Sequence, residues 1–286
     1  MSSSTAASEE NQTKKDNWST ERYSSNASFV YSSKFTSPII DLLAPQSGER
    51  ILDLGCGHGA LTLDSLLPAV LPQGSIIGLD SSSSLLATAK SSSSQLPAEQ
   101  QSRVEWIEMD AHDLRDSNDK IEDESIDAVF SSAALHWMKA DPKKVLEGTY
   151  RVLKSGGRLA GEMGGFLNVG GVRGVLHSVL RQRGYDPASI DPWFFPTPEH
   201  YRELLEGVGY RVESCELIPR PTTLPTGLEG WLETFAFPFF AVLKSPEEQS
   251  EVIKEICNLC EVDMKDERSG QWMAMYVRLR FKAWKD

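Results

Sequence analysis

The sequence predicts an α/β protein built on a doubly wound sheet. Short apolar strands alternate with helix-length segments from residue 50 to residue 163, and one strand runs directly into a glycine loop followed by a helix. Alternation of this kind implies parallel β-α-β units, with helices on both faces of the sheet. The size is bounded too. At 286 residues and 40% hydrophobic composition the chain is one large domain or two small ones, and it is too apolar to be disordered throughout.

Taken in order, residues 1–17 are serine-rich and aperiodic and are expected to be a disordered tail. Ala27, Val30, Phe35, Ile39, Leu42 and Leu43 recur at loosely helical spacing, which predicts a helix over 26–43 that Pro38 can split. Strands are expected at Arg50–Leu54, 75–79, 103–109, 126–131 and 158–163. Helices are expected at 60–70, where Pro72 stops the run, at 82–90 behind a Ser81 or Ser82 cap, and at 142–153. The last of these has Pro142 in its first turn and Gly156-Gly157 past its end. After Gly165 the rhythm breaks. Residues 172–183, 199–206 and 246–262 read as helices, 191–198 as an aromatic loop and 228–243 as an aromatic-rich stretch; 210–217 and Met273–Trp284 read as strands. The organisation expected is a core over 18–165, and a region over 166–286 that completes the sheet and inserts a cap.

Composition excludes some partners. Lys and Arg number 29 against 41 Asp and Glu, a net charge of -12. Such a chain is a poor general binder of nucleic-acid backbones or anionic membranes. No apolar run approaches the ~18 residues of a membrane span, and the N-terminus has no apolar core of a secretory signal. Four cysteines do not make a disulfide framework, which fits a reducing compartment; a cytoplasmic location is expected, and the oligomeric state is open.

The strongest motif is Ile51-Leu-Asp53-Leu-Gly55-Cys-Gly57-His-Gly59-Ala60. Gly55, Gly57 and Ala60 satisfy the G-x-G-x-x-G/A nucleotide fingerprint in the right strand-to-helix context, so NAD is one option. Asp53 argues against it. A carboxylate near the mouth of the loop repels a diphosphate and suits a cationic ligand without phosphate, and S-adenosylmethionine is such a ligand. Asp53 could instead cap the turn. Asp80 ends the second strand, 25 residues past Gly55, where a carboxylate accepts from ribose hydroxyls or caps the next helix, with Ser81 beside it. Asp110, after the third strand, is placed for an adenine amino group with the Ala111 amide nearby, or for a turn.

Four stretches in order, ILDLGCGHG, GLDSS, MDAHDL and DAVFSSAALHW…RVLKSGG, resemble the class I S-adenosylmethionine-dependent methyltransferases. The flanks (Trp18 with the stretch from Tyr23 to Phe35, then EMGGF, DPWFFPTPEHY and RPTTLPTGLEGWLETF) are similar to fungal small-molecule methyltransferases of the gliotoxin bis-thiomethyltransferase and trans-aconitate types. The resemblance implies a Rossmann-like seven-stranded sheet whose last strand, Met273–Trp284, is antiparallel. It also implies a role in secondary metabolism and an N-terminal lid helix that places Tyr23 near the methionine end of the cofactor, with Ser131 lining the methionine–ribose side.

Methyl transfer from a sulfonium is an in-line displacement, so holding the reactants collinear is the main task. A thiol, pKa about 8.5, supplies some thiolate at neutral pH, and a carboxylate is already ionised. A phenol needs a base, and His136 is the candidate catalytic residue. Trp18, Asn26, Trp137, Trp193 and Phe194 are the expected substrate contacts. A tricarboxylate would need clustered arginines, for which the cap offers Arg173, Arg181 and Arg183. No metal is expected: Cys257 and Cys260 form a lone CxxC, and His112 with Asp113 is too little for a site. The expected activity is S-methylation of a dithiol metabolite, with O-methylation of a carboxylate such as trans-aconitate second. A non-catalytic cofactor-binding regulator and an NAD-dependent oxidoreductase are the readings from other classes.

Overall fold

A computed structural model of the chain describes residue 26 and residues 33–286. The expectations for the 1–17 tail, Trp18 and Tyr23 lie outside the described residues.

Seven strands form one sheet: β1 (Arg50–Leu54), β2 (Ser75–Asp80), β3 (Val104–Glu108), β4 (Ile126–Ser132), β5 (Leu153–Gly164), β6 (Arg211–Thr223) and β7 (Met273–Trp284). Their order is β3-β2-β1-β4-β5-β7-β6, with β7 antiparallel to both neighbours. The order reverses direction between β1 and β4, so the carboxyl ends of these strands open a crevice, where such sheets bind ligands.

Strand alternation sorts the core onto two faces. Ile51, Ile76, Ala128 and Phe130 pack against α1 (Ser33–Leu43) and α2 (residues 60–70). Leu52, Leu54, Ile77, Leu79 and Val129 pack on the opposite face, where α4 (Pro142–Val152) and α6 (Pro198–Val208) lie. A one-residue slip would turn every one of these side chains to the other face, which is why the register is firmly specified. Phe130 is fully buried; cutting it to alanine should cost about 3–5 kcal/mol.

The caps follow the sequence. Ser82 accepts from the Leu85 amide at the start of α3 (Ser83–Ser93), and Asp141 accepts from the Lys144 amide at the start of α4. One departure lies in α2, whose middle, Thr62–Leu66, is wound wide as a π-helix. Pro68 has no N–H to return to the carbonyl of Asp64, and its ring crowds that turn. A second departure is β6, which runs past the expected residue 217 to Thr223, through Pro219 and Pro221. The strand lies at the edge of the sheet, where a missing N–H costs no ladder bond.

Helices α5 (Gly170–Gln182), α7 (Gly227–Phe235) and α8 (Pro246–Met264) build a third core of their own. Leu176, Val179, Leu228, Leu232, Val252 and Ile256 fill it, and Tyr276 of β7 reaches into it from the sheet. Among the described residues no helix is long and apolar enough to cross a membrane.

Candidate functional site

The glycine loop leaves β1 at Gly55, whose φ is +76°. A Cβ there would sit 2.2 Å from the Ala134 Cβ, so both the left-handed backbone and the close approach demand glycine. The amides of Gly55 and Cys56 donate to Leu79 O at 2.8 and 3.1 Å, which ties the loop to the end of β2. Asp80 does the rest: Oδ2 accepts from the Gly57 amide at 2.8 Å and Oδ1 from the Ser82 amide at 2.9 Å. Ser81 next to it is exposed.

Asp53, which the sequence reading put near the mouth of the loop, is a buried side chain. It is 2% exposed, and its Oδ2 accepts from the Thr62 hydroxyl at 2.6 Å. Alternation in β1 explains this: Leu52 and Leu54 take one face, so Asp53 falls on the other, beneath the start of α2. Burial pushes its pKa up to about 7, against the Thr62 hydrogen bond and with help from the Asp80 charge. Asp110 caps the short helix Ala111–Asp116, its Oδ1 accepting from the His112 amide at 3.1 Å and lying 2.6 Å from His112 Nδ1. Ala111 is buried. Ser131 is fully buried and donates to Leu54 O at 2.8 Å, joining β4 to β1.

Asp53, Asp80 and Asp110 thus lie at the ends of three adjacent strands, β1, β2 and β3. The loop holds no lysine or arginine, and burial keeps His58 below its ordinary pKa. This donor set fits S-adenosylmethionine, which carries a cationic amino group, a sulfonium and no phosphate. It does not fit the diphosphate of NAD.

Beyond β4 the wall turns. Ala133 has φ +58°, a left-handed conformation that costs a non-glycine residue about 1–2 kcal/mol, and its amide donates to Glu162 O at 2.7 Å. Ala134 abuts the glycine loop while Ala133 lines a second cavity, so the two sites share this turn. The cavity is partly open, and about 410 Å³ of unfilled space, open solvent included, lies within its lining. Five segments enclose it. His136 and Trp137 follow β4, Asn168 and Val169 follow β5, and Trp193 and Phe195 come from the aromatic loop. Trp231 and Phe235 come from α7, and Tyr276 and Arg278 from β7. Trp193 stacks on Phe195 with ring centroids 5.7 Å apart and meets Trp137 edge-on at 6.1 Å.

Phe194, the expected contact, is not part of this wall. It packs on His200 and Tyr201 in the main core, and its neighbour Phe195 takes the place. Asn26 donates to the Thr234 hydroxyl at 2.8 Å, which ties it to α7. Two of the three cap arginines are paired, Arg173 with Asp191 at 2.7 Å and Arg183 with Glu255 at 2.6 Å, and Arg181 does not line the cavity. The arginine that does reach the cavity, Arg278, was missed. In β7 the run Val277-Arg-Leu-Arg-Phe281 reads as one apolar and one solvated face, but the cap covers the second and leaves Arg278 4% exposed. Tyr276 was missed with it; its hydroxyl accepts from Trp231 Nε1 at 2.5 Å.

His136 is buried, and its Nδ1 lies 3.4 Å from the Gly164 amide, which donates to it. Nδ1 as acceptor leaves the proton on Nε2. Burial first, and the Arg278 charge second, push its pKa well below 6.5, so the ring is neutral at pH 7 and a poor proton acceptor.

Strand order, the antiparallel β7, the loop at the end of β1 and the carboxylate at the end of β2 define the class I S-adenosylmethionine-dependent methyltransferase fold. Comparison with known proteins agrees. Residues 52–161 match the methyltransferase domain family. An uncharacterized methyltransferase of Schizosaccharomyces pombe, C70.08c, is 35% identical over 95% of this chain and 99% of its own length. The trans-aconitate 2-methyltransferase of Deinococcus radiodurans is 28% identical over 67% of this chain and 69% of its own. Among solved structures, phosphoethanolamine N-methyltransferase 2 of Haemonchus contortus, in complex with S-adenosylhomocysteine, superposes with a TM-score of 0.55 at 18% identity. That match covers 93% of this chain and 56% of the other. The chain belongs to the methyltransferase family and is an S-adenosylmethionine-dependent enzyme, which sets aside the NAD-dependent oxidoreductase.

Proposed function

We propose that this methyltransferase acts on a small molecule seated in the aromatic cavity, at an atom that needs no protein base. One observation carries the reading: the cavity's histidine, His136, is buried and held neutral beside a cationic Arg278. A site of that character receives an anion and does not create one by removing a proton.

S-adenosylmethionine supplies an activated methyl group. Asp80 and the Gly55–Gly57 backbone would hold its nucleoside end, Asp110 and Ala111 its base, and Asp53 would act from beneath the loop through its charge. Tyr23 and Ser131 remain assigned to the methionine side on the resemblance. The aromatic walls leave less room for water once an acceptor is seated, which would strengthen charge interactions inside and keep an anionic nucleophile poorly solvated. Trp137, Trp193, Trp231 and Phe235 offer rings to a sulfur, a favourable contact of about 0.3–1.5 kcal/mol. That supports the first reading, S-methylation of a dithiol of the reduced gliotoxin type, a secondary metabolite. O-methylation of a carboxylate is the second reading, favoured by Arg278 and by the likeness to trans-aconitate methyltransferases.

The test is a screen of reduced dithiols, carboxylic acids and phenols with methyl-labelled S-adenosylmethionine. Labelled thioether or ester products are expected. Label confined to phenols would refute the base-free reading.

A further inference from the structure

Arg278 is 4% exposed, yet its guanidinium donates no hydrogen bond to any described residue. Its nearest carboxylate oxygen is Glu162 Oε1, 4.0 Å from Nε and beyond hydrogen-bond reach. Glu162 is already engaged. Its Oε1 accepts from Arg220 Nη1 at 3.1 Å, and its Oε2 from Arg280 Nε at 2.9 Å and Nη2 at 2.5 Å. Three arginines therefore share one carboxylate, and the surplus sits on Arg278 at the cavity wall. The Tyr276 ring, 4.7 Å from the Arg278 guanidinium carbon, gives a cation–π contact and no counter-charge.

A buried cation is normally paired and hydrogen-bonded. Arg220 and Arg280 meet that rule; Arg278 does not. Beside it in the same wall is Asn168, whose Oδ1 accepts from the Val277 amide at 2.9 Å while its Nδ2 donates to no described residue. A planar guanidinium with a side-chain amide beside it suits a planar anion with two acceptor oxygens. We propose that the cavity is an anion site: the methyl acceptor carries a carboxylate that docks on Arg278, with Asn168 as the second donor, which favours the carboxylate reading over the dithiol one.

This rests on the cavity being the acceptor site, but it adds a charge requirement that the aromatic walls alone do not impose. It also separates the cavity from the cap arginines. Arg173 and Arg183 neutralise carboxylates of the cap, whereas Arg278 is held by the sheet 4.0 Å from a carboxylate that two other arginines already engage.

Benzoate and benzamide are a matched pair of probes, alike in shape and different in charge. Calorimetric titration of the full chain, saturated with S-adenosylhomocysteine, should show benzoate binding at least about tenfold tighter than benzamide, the worth of a charge-assisted pair. Arg278→Gln should erase that preference, and Arg278→Lys should keep part of it. S-adenosylhomocysteine affinity and the melting temperature of each variant report that it is folded. Equal affinity of the wild-type protein for the two probes, or no saturable benzoate binding, overturns the proposal without recourse to any variant. So does a preference that survives Arg278→Gln. Methyl transfer to neutral acceptors alone would reject the anion site while leaving the methyltransferase reading intact.

Discussion

The glycine loop and the aromatic cavity meet at Ala133-Ala134 and are opposite in almost every respect. The loop is acidic, made largely of backbone, and drawn from a short stretch of sequence between Asp53 and Asp80. The cavity is aromatic with one weakly paired cation, made of side chains, and drawn from five segments between Ala133 and Arg278. The difference follows the two reactants. A cationic methyl donor suits carboxylates, and an acceptor that arrives as an anion suits a dry pocket with an arginine.

Breaking the loop should give the largest effect. Gly55→Ala forces a left-handed alanine and puts its Cβ against Ala134, so destabilisation of roughly 3–5 kcal/mol is expected, with loss of S-adenosylmethionine binding. Thermal melts and calorimetry would read both. A variant that melts like the wild type and binds the cofactor normally would show that the loop tolerates what its geometry forbids.

The buried acid of the loop gives the next effect, and its sign is fixed. The Asp53 pKa rises from 3.8 to about 7 on folding, so between those values the native state holds a proton that the unfolded chain has lost. Stability from this group is complete below about pH 4 and is lost as pH rises to about 7, by roughly 2–4 kcal/mol. Asp53→Asn should flatten that slope in denaturant titrations run across the range. An unchanged slope would show that Asp53 is ionised throughout.

Asp80→Ala removes the acceptor for two amides and the candidate ribose partner together. Cofactor affinity should fall by about 30- to 100-fold in an equilibrium titration, since hydrogen bonds to a charged group are worth about 1.5–3 kcal/mol. Unchanged affinity would reduce Asp80 to a helix cap. On the cavity side His136→Gln should have the smallest effect, less than about threefold on turnover of thiol or carboxylate acceptors, because a ring whose pKa lies well below 6.5 is a poor proton acceptor and these nucleophiles need none. A large loss with those acceptors would make His136 a base after all and erase the contrast with a base-free cavity.

The same contrast explains what could be read from the sequence. Strand alternation and the G-x-G spacing are local signals, and they placed β1, β7 and the loop at their observed residues. Local signals carry no information about what covers a strand. The even-numbered face of β7 reads as solvated until the cap closes over Arg278. In the aromatic loop no period tells Phe194 from Phe195, so the choice between core and cavity is made by packing alone. Pro219 and Pro221 read as the end of β6, and only its edge position lets the strand continue.

The charge of the loop is tested most directly by calorimetric titration of the chain with S-adenosylmethionine and with NAD. Saturable binding of S-adenosylmethionine and none of NAD is the predicted result. Saturable NAD binding, lost in Gly55→Ala and unaccompanied by any S-adenosylmethionine binding, would contradict it.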